Sequence, residues 1–456
     1  MWRFFHRGKL AESDADELYC KCRKANTTRH NNQKSRMNKN TLTLLALTLG
    51  ATSLCRAADA TESQAAQQKP AFDLCQSITD RLDIFNAERD GAENPWIQDF
   101  RVKFRAQYQY GYVDPAGGAD REKGGREHGR NTNSEWRRFR IAAQAKVLNR
   151  FTLVSNWNIG GLEGRDEFKN GKWNQTHTSS SLDELYISGN IAKPVSFTLG
   201  KHKPAFMGEY RTSSAKIVTI ERSLLVNQLK SEKNYGISFK NADKKATWGW
   251  EAGLWVNGAR DNQWLEPAFD SDTGYMFGGG INYATGDNSR LYLDYMHSFA
   301  DWSDVNRTDL SYEGCGARDI VALTWEAKQD KLRFTAEAIA AFNLNSEQAE
   351  NAYGIVLMPT YRISPHFEGV FRYQLAAGSN AIAGDGHFYT RNSTYNGAAD
   401  LVQGLYFGMN YYVCPKNPDG MKLMLGAEYL NSHGTDADGN KGFTGWGITG
   451  AMRVNF

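Results

Sequence analysis

The chain lacks any uninterrupted apolar run of the ~20 residues that a membrane-crossing helix needs. Its mean hydropathy is −0.59, which does not fit a helical membrane protein but leaves a transmembrane barrel open, because half of each barrel strand can be polar. Proline is scarce, at 10 of 456 residues. The nine histidines stand singly, with no HExxH or comparable metal-binding cluster. "YMHSFA" puts His297 and Ser298 on opposite faces of a strand, and His433 sits in an acidic loop, so neither marks a catalytic base beside a nucleophile. "GYMFGGGINYA" is glycine-rich, but no helix follows it, so it is not a phosphate loop. Its glycines are expected to make room for a neighbouring loop or subunit. No enzyme activity, cofactor, metal or nucleic-acid partner is expected.

Cysteine is also sparse, and three of the six precede residue 59. "MNKNTLTLLALTLGATSLCRAADA" starts at Met37 with one lysine, an apolar run and small residues, the pattern of a secretory signal peptide cleaved near Ala58. Residues 1–36 are polar and aperiodic, so translation is expected to begin at Met37. Residues 1–58 hold 11 of the 54 lysines and arginines and 4 of the 51 acids, so the remainder carries −4 rather than the whole chain's +3. Any basic function must come from where cations sit, not from their total. Cys75, Cys315 and Cys414 remain, too few for a disulfide scaffold.

What is abundant is alternation. In "FRVKFRAQYQY", residues 100–110, Phe100, Val102, Phe104, Ala106, Tyr108 and Tyr110 share one strand face, while Arg101, Lys103 and Arg105 share the other. After a polar lead-in at 59–97, expected in the periplasm, such segments recur to the C-terminus. Sixteen strands are predicted near 98–113, 135–147, 151–160, 182–191, 194–202, 233–240, 246–257, 273–284, 289–299, 318–328, 331–343, 353–363, 367–377, 403–413, 421–431 and 444–456. Short connections at 148–150, 285–289, 329–331 and 364–366 alternate with long polar ones at 114–134, 161–181, 258–272, 300–317, 378–402 and 432–443. Short turns at one end and long loops at the other are the organisation of an outer-membrane barrel. Trp248, Trp250, Leu254, Leu405, Phe407, Met409 and Tyr411 would then face lipid. The fold expected over 98–456 is an all-β, sixteen-stranded antiparallel transmembrane barrel with short periplasmic turns, long extracellular loops and an aqueous lumen.

Within that barrel "WRRFRIAAQAKV" repeats the alternation. Arg138, Arg140 and Lys146 join Arg101, Lys103 and Arg105 on one lumen wall, where water and counterions screen their repulsion. The wall reads either as a solvated surface balanced by acids elsewhere or as a basic track that concentrates anions, as rings of cations do in anion pores. Residues 203–232 form the third long loop and are too apolar for a free surface segment, with Ile217, Val218, Ile220, Leu224, Leu225 and Val226 clustered. The loop is expected to fold inward and constrict the pore with Lys203, Arg211, Lys216 and Arg222, and with Glu209 and Glu221 as counter-charges. An external cap is the competing reading. By position, Cys414 lies in a periplasmic turn and Cys315 by an extracellular loop, separated by an apolar band ~25 Å high. A disulfide between them is excluded, which leaves Cys75 as a partner for Cys414.

The stretch "LGKHKPAFMGEYRTSSAKIVTIERSLLVNQL", 199–229, resembles the phosphate-selective porin O and P family, in its Gly-Lys-x-Lys-Pro-x-x-x-x-Glu segment and later Ile-Glu-Arg-Ser. Strand spacing, the inward loop and the terminal aromatic Phe456, which resembles the sorting signal of outer-membrane barrels, agree with that family. The resemblance implies a homotrimeric channel in the outer membrane of a Gram-negative-type bacterium, in contact with lipid and lipopolysaccharide. Such a channel would pass small anions such as phosphate or polyphosphate by diffusion. A general nutrient or sugar porin and an adhesion barrel acting through its loops are the alternatives. Against a sugar pore, the aromatics assigned to the lumen (Tyr292, Tyr406, Tyr412, Trp255) are dispersed rather than stacked.

Overall fold

The computed structural model describes residues 73–91, 94–115, 132–160, 164–169, 172–177, 181–192, 194–231, 233–243, 245–256, 275–299, 316–344, 350–382, 398–434 and 442–456. The leader at 1–58 with its start at Met37, Cys315, and most of the long loops expected at 114–134, 161–181, 258–272, 300–317, 378–402 and 432–443 lie outside these residues.

Nineteen strands are described. They are β1 (Asp83–Asn86), β2 (Ile97–Pro115), β3 (Thr132–Val147), β4 (Phe151–Asn158), β5 (Gly164–Lys169), β6 (Lys172–His177), β7 (Ser181–Ala192), β8 (Val195–His202), β9 (Asn234–Asn241) and β10 (Trp248–Val256). They continue as β11 (Tyr275–Gly286), β12 (Ser289–Ser298), β13 (Ala317–Gln329), β14 (Leu332–Leu344), β15 (Ala352–Arg362), β16 (Phe367–Ile382), β17 (Ala399–Tyr412), β18 (Met421–His433) and β19 (Gly445–Asn455). Three helices accompany them: α1 (Leu74–Leu82), α2 (Gly208–Arg211) and α3 (Leu224–Leu229).

Sixteen strands, β2–β4 and β7–β19, pair with their neighbours in antiparallel register and close on themselves. The seam joins β19 to β2, with Ile448 opposite Tyr112 and Asn455 opposite Arg105. Phe456 completes it by exchanging both backbone hydrogen bonds with Phe104, at 2.8 and 2.9 Å. The sixteen expected strands are all present. The hairpin β5–β6 is an excursion between β4 and β7: β4 pairs directly with β7, Leu153 opposite Ile187, while β5 adds onto the outer end of β3.

Burial follows the alternation. Trp248, Phe407 and Leu425 are 62%, 60% and 57% exposed, whereas Trp255, Tyr406 and Arg372 one face away are 1% or less. A sheet in water would hide the first set and show the second. A closed barrel in hydrocarbon does the reverse, because its backbone is fully paired and its outer face meets lipid.

The third long connection enters this ring. Phe206, Met207, Leu224, Leu225, Val226 and Leu229 pack in one buried cluster with inward wall residues including Trp255, Met276, Met296, Ile320 and Ile339. Inward-folded apolar loop and apolar upper wall thus bury each other.

The lead-in is attached beneath β2. Asp73 caps α1 by accepting from the Gln76 N–H at 3.0 Å, and β1 pairs with the foot of β2, Phe85 opposite Phe100. Cys75 is disulfide-bonded to Cys414 in the turn between β17 and β18, with Cα atoms 6.2 Å apart. Peptide mapping without reduction is expected to recover the Cys75–Cys414 pair. Replacing Cys75 with serine is expected to leave the barrel folded while making residues 73–86 the first site of limited proteolysis; unchanged cleavage kinetics would contradict this.

Candidate functional site

The lumen wall is built first by β2 and β3. Arg105 stands opposite Arg140 and Gln107 opposite Arg138. Just above, the register shifts so that Tyr108 meets Trp136 and Arg137 has no opposite residue, a β-bulge. The bulge turns Arg137 inward, 3.7 Å from Glu135 and 3.4 Å from Glu221. Simple alternation would have sent Arg137 to lipid, and it was missed for that reason. A signal existed: Trp136 and Phe139, three apart, both face outward with ring centroids 6.2 Å apart. That spacing cannot occur on one face of a regular strand.

The six wall cations expected from sequence differ in their partners. Arg101 bonds Asp99 at 2.5 Å and lies 3.7 Å from Asp83 of the lead-in. Arg140 pairs with Asp183 at 2.6 Å, a carboxylate that also receives Lys233. Three others donate to neutral groups: Lys103 to Gln144, Arg105 to Ser214 Oγ at 3.0 Å and Asn455 at 3.1 Å, and Arg138 to Gln107 at 2.9 Å. Lys146 is exposed at the short-turn end, opposite Asp99 in register.

Residues 203–231 cross the lumen with only two short helices, so most of their backbone groups need partners from outside the segment. The wall supplies them. On one side Asp294 of β12 accepts from the Met207 N–H at 3.0 Å and from Arg211, and Glu337 of β14 accepts from the N–H groups of Gly208 (2.5 Å) and Glu209 (3.1 Å). Met207 takes a left-handed φ of 57° to present this run of donors. Two glycines permit the approach. A Cβ on Gly208 would lie 2.4 Å from Thr324 Cγ2, and one on Gly280 would lie 2.2 Å from Asp294 Oδ1. The glycine run of β11 thereby makes room for a carboxylate that holds the loop.

On the opposite side the wall contributes donors to loop carbonyls. Arg372 reaches Glu221 O at 2.7 Å, Lys422 reaches Ile217 O at 2.9 Å, Asn410 reaches Val218 O at 2.9 Å, and Gln107 reaches Ser214 O at 3.0 Å. Arg453 bonds the carbonyls of Ser214 (3.2 Å) and Ile220. Arg372 is fully buried, paired with Glu428 at 2.8 Å and with Glu209 at 3.5 Å. Sequence reading did not single out Asp294, Glu337, Arg372, Lys422 or Arg453. Their parity marks them as inward, but nothing local says which would touch a loop 83 to 239 positions away.

The loop's own charged residues occupy different settings. Lys203 donates to the carbonyls of Tyr210 (2.6 Å) and Arg211 (3.0 Å), at the end of α2. Burial, with Arg222 and Lys233 nearby, pushes its ammonium down to about 7. Arg222 is buried and donates to Glu209 O at 2.8 Å and Thr212 O at 2.7 Å. Burial lowers it below the usual guanidinium value, against the pull of Tyr210, Glu209 and Glu221. Arg211 lies over the Tyr292 ring at 4.2 Å and pairs with Asp294. Glu209 accepts from the Ser223 N–H at 2.9 Å, and Glu221 from Gln109 at 3.2 Å. Lys216 alone of the loop cations is exposed, 66% by side chain, with Asp419 at 4.0 Å.

Open space remains around the loop. A cavity of about 920 Å³ lies toward the short-turn end between the loop and β11–β15, with Glu209 and Lys216 in its lining. Smaller ones of about 470 and 270 Å³ are lined in part by Lys203 and by Arg211. Arg372→Met leaves Glu428 and Glu209 buried with a partner removed, and is expected to destabilise the barrel by about 3–5 kcal/mol in denaturant titration. Lys216→Gln, at an exposed pair, is expected to change stability by less than about 1 kcal/mol. Equal effects of the two would contradict the assignment of loop anchors.

Residues 100–290, from β2 through the loop to β12, match the family model described as phosphate-selective porin O and P. No curated protein matches the sequence. Among solved structures, Salmonella typhi OmpF in complex with daunomycin aligns over 78% of this chain and 98% of its own, at 11% identity and a TM-score of 0.52, a likeness of fold. The outer membrane channel DcaP of Acinetobacter baumannii aligns over 78% and 97%, at 12% identity and a TM-score of 0.43. Residues 100–290 thus resemble the phosphate-selective porin O and P family, and the closed sixteen-stranded barrel shares the fold of OmpF.

Proposed function

We propose that this channel passes small anions by passive diffusion, phosphate or polyphosphate among them, and that loop 203–231 is its constriction. The observation that carries the reading is the set of wall cations bonded to neutral acceptors. Lys103, Arg105 and Arg138 hold their positions through Gln144, Ser214, Asn455 and Gln107. Their charge is therefore not cancelled by the group that orients them. Inside a narrowed, partly dewatered lumen each acts at lower effective dielectric than on an open surface. A sugar pore is the weaker reading. Trp255, Tyr406 and Tyr412 are 1–2% exposed, packed rather than presented to solute. The same proposal includes cleavage of the leader near Ala58, a periplasmic lead-in at 59–97, assembly as a homotrimer, and contact of the apolar outer band with lipid and lipopolysaccharide.

Reversal potentials in a salt gradient test the reading. The wild-type channel is expected to prefer chloride over potassium, and the triple variant Lys103→Gln, Arg105→Gln, Arg138→Gln to lose that preference. A cation-preferring wild type, or an unchanged triple variant, would sink it. The preference should fall as salt rises, because screening shortens from ~10 Å at 0.1 M to ~3 Å at 1 M.

Lys203 adds a pH dependence. Its ammonium is held down to about 7, so the charge is present below that pH and lost above it. Anion preference should rise as pH falls through 7, and Lys203→Gln should flatten the profile. Stability moves the other way. Between about 7 and the ordinary lysine value of ~10.4 the unfolded chain binds more protons than the folded one, so stability increases with pH across that window.

A further inference from the structure

We propose that the 920 Å³ cavity on the short-turn side of the loop is a binding site for organic monoanions with an apolar body, such as a medium-chain or aromatic carboxylate. This rests on the anion-channel reading and names a solute class for a part of the lumen away from the β2–β3 wall.

The lining has three parts that together define the ligand. Ile217 and Val218 come from the loop tip, and Met358 with the ring of Tyr292 comes from the wall, giving apolar surface on two sides. Lys216 enters from the loop, Lys328 from the foot of β13 and Lys245 from the turn before β10, all exposed, so that three ammonium groups reach the cavity from different elements. The remaining guanidinium groups are engaged: Arg333 pairs with Glu368, and Arg290 bonds Asn282 and the Ala246 carbonyl. Asp287 and Glu326 also line the space. Their carboxylates repel a polyanion, while one negative charge can be met by a lysine at a distance from them.

An inorganic phosphate ion gains nothing from the apolar sides and keeps its full hydration cost. A monocarboxylate with a hydrocarbon or aryl body removes apolar surface from water there and keeps its charge at the lysines. A volume of this size fits the range of small-molecule sites. The cavity opens among residues of the turns at 245–247 and 286–289, the short-turn end. In an outer-membrane barrel that end faces the periplasm, so the site is reached directly from the periplasmic side, below the loop.

Single-channel recording in fixed potassium chloride tests this. Hexanoate, benzoate, inorganic phosphate and the uncharged hexanol are added separately to each side. Hexanoate and benzoate are expected to interrupt the current from the periplasmic side at concentrations several-fold lower than from the other side. Phosphate and hexanol are expected to have little effect at matched concentration. Lys216→Gln and Lys328→Gln should each weaken the block by about fivefold, with the salt-gradient reversal potential of Lys328→Gln little changed. Block by phosphate as strong as by hexanoate, block without sidedness, or block insensitive to both substitutions would each overturn the site. Failure of the wider anion reading shows separately, as a cation-preferring reversal potential with no organic anion present.

Discussion

The structure depends on one constraint: a segment of irregular backbone lies inside a closed barrel, and its peptide groups must find partners there. A buried peptide group left unpaired costs about 1–3 kcal/mol, and residues 213–223 contain no helix or strand. Wall side chains meet the demand. Arg372, Lys422, Arg453, Asn410 and Gln107 donate to carbonyls, while Asp294 and Glu337 accept from N–H groups. The wall contacts come from strands far apart around the ring, so the loop and the barrel fix each other's geometry.

This divides the positive charge of the lumen into two populations. Arg372, Lys422 and Arg453 are 0–3% exposed and are committed to holding the loop. Lys103, Arg105 and Lys216 keep more contact with solvent and are the ones that a passing solute can meet. Counting inward cations therefore overstates what a permeating ion experiences. The distinction also explains how a chain that is net acidic beyond residue 58 can hold a basic interior, since charge is positioned strand by strand rather than set by the total.

Much of the fold could be read from residues alone, because a strand's period of two is visible wherever one face meets lipid. The stretch 100–110 shows its two faces directly, and Phe456 marks the closing strand. The inward loop was readable for a related reason: Ile217 to Val226 is too apolar to be left in water. Arg137 escaped because one bulge residue shifts the parity of everything beyond it. The loop's anchors escaped because contact between Glu337 and Gly208 spans 129 positions, and no local pattern encodes such a meeting. The difference between Arg101, bound to Asp99, and Lys103, bound to Gln144, likewise depends on rotamers and neighbours rather than on spacing.

The central claim is that a wall-anchored loop narrows the lumen and carries cations to its narrowest part. Deleting residues 213–222 while recording conductance and salt-gradient reversal potential on the same channels tests it most directly. The account predicts that conductance rises and anion preference falls together, because the segment that narrows the lumen, and brings Lys216 into it, is removed. An intact barrel with both quantities unchanged would show that the loop does not line the conducting path, and would contradict the account.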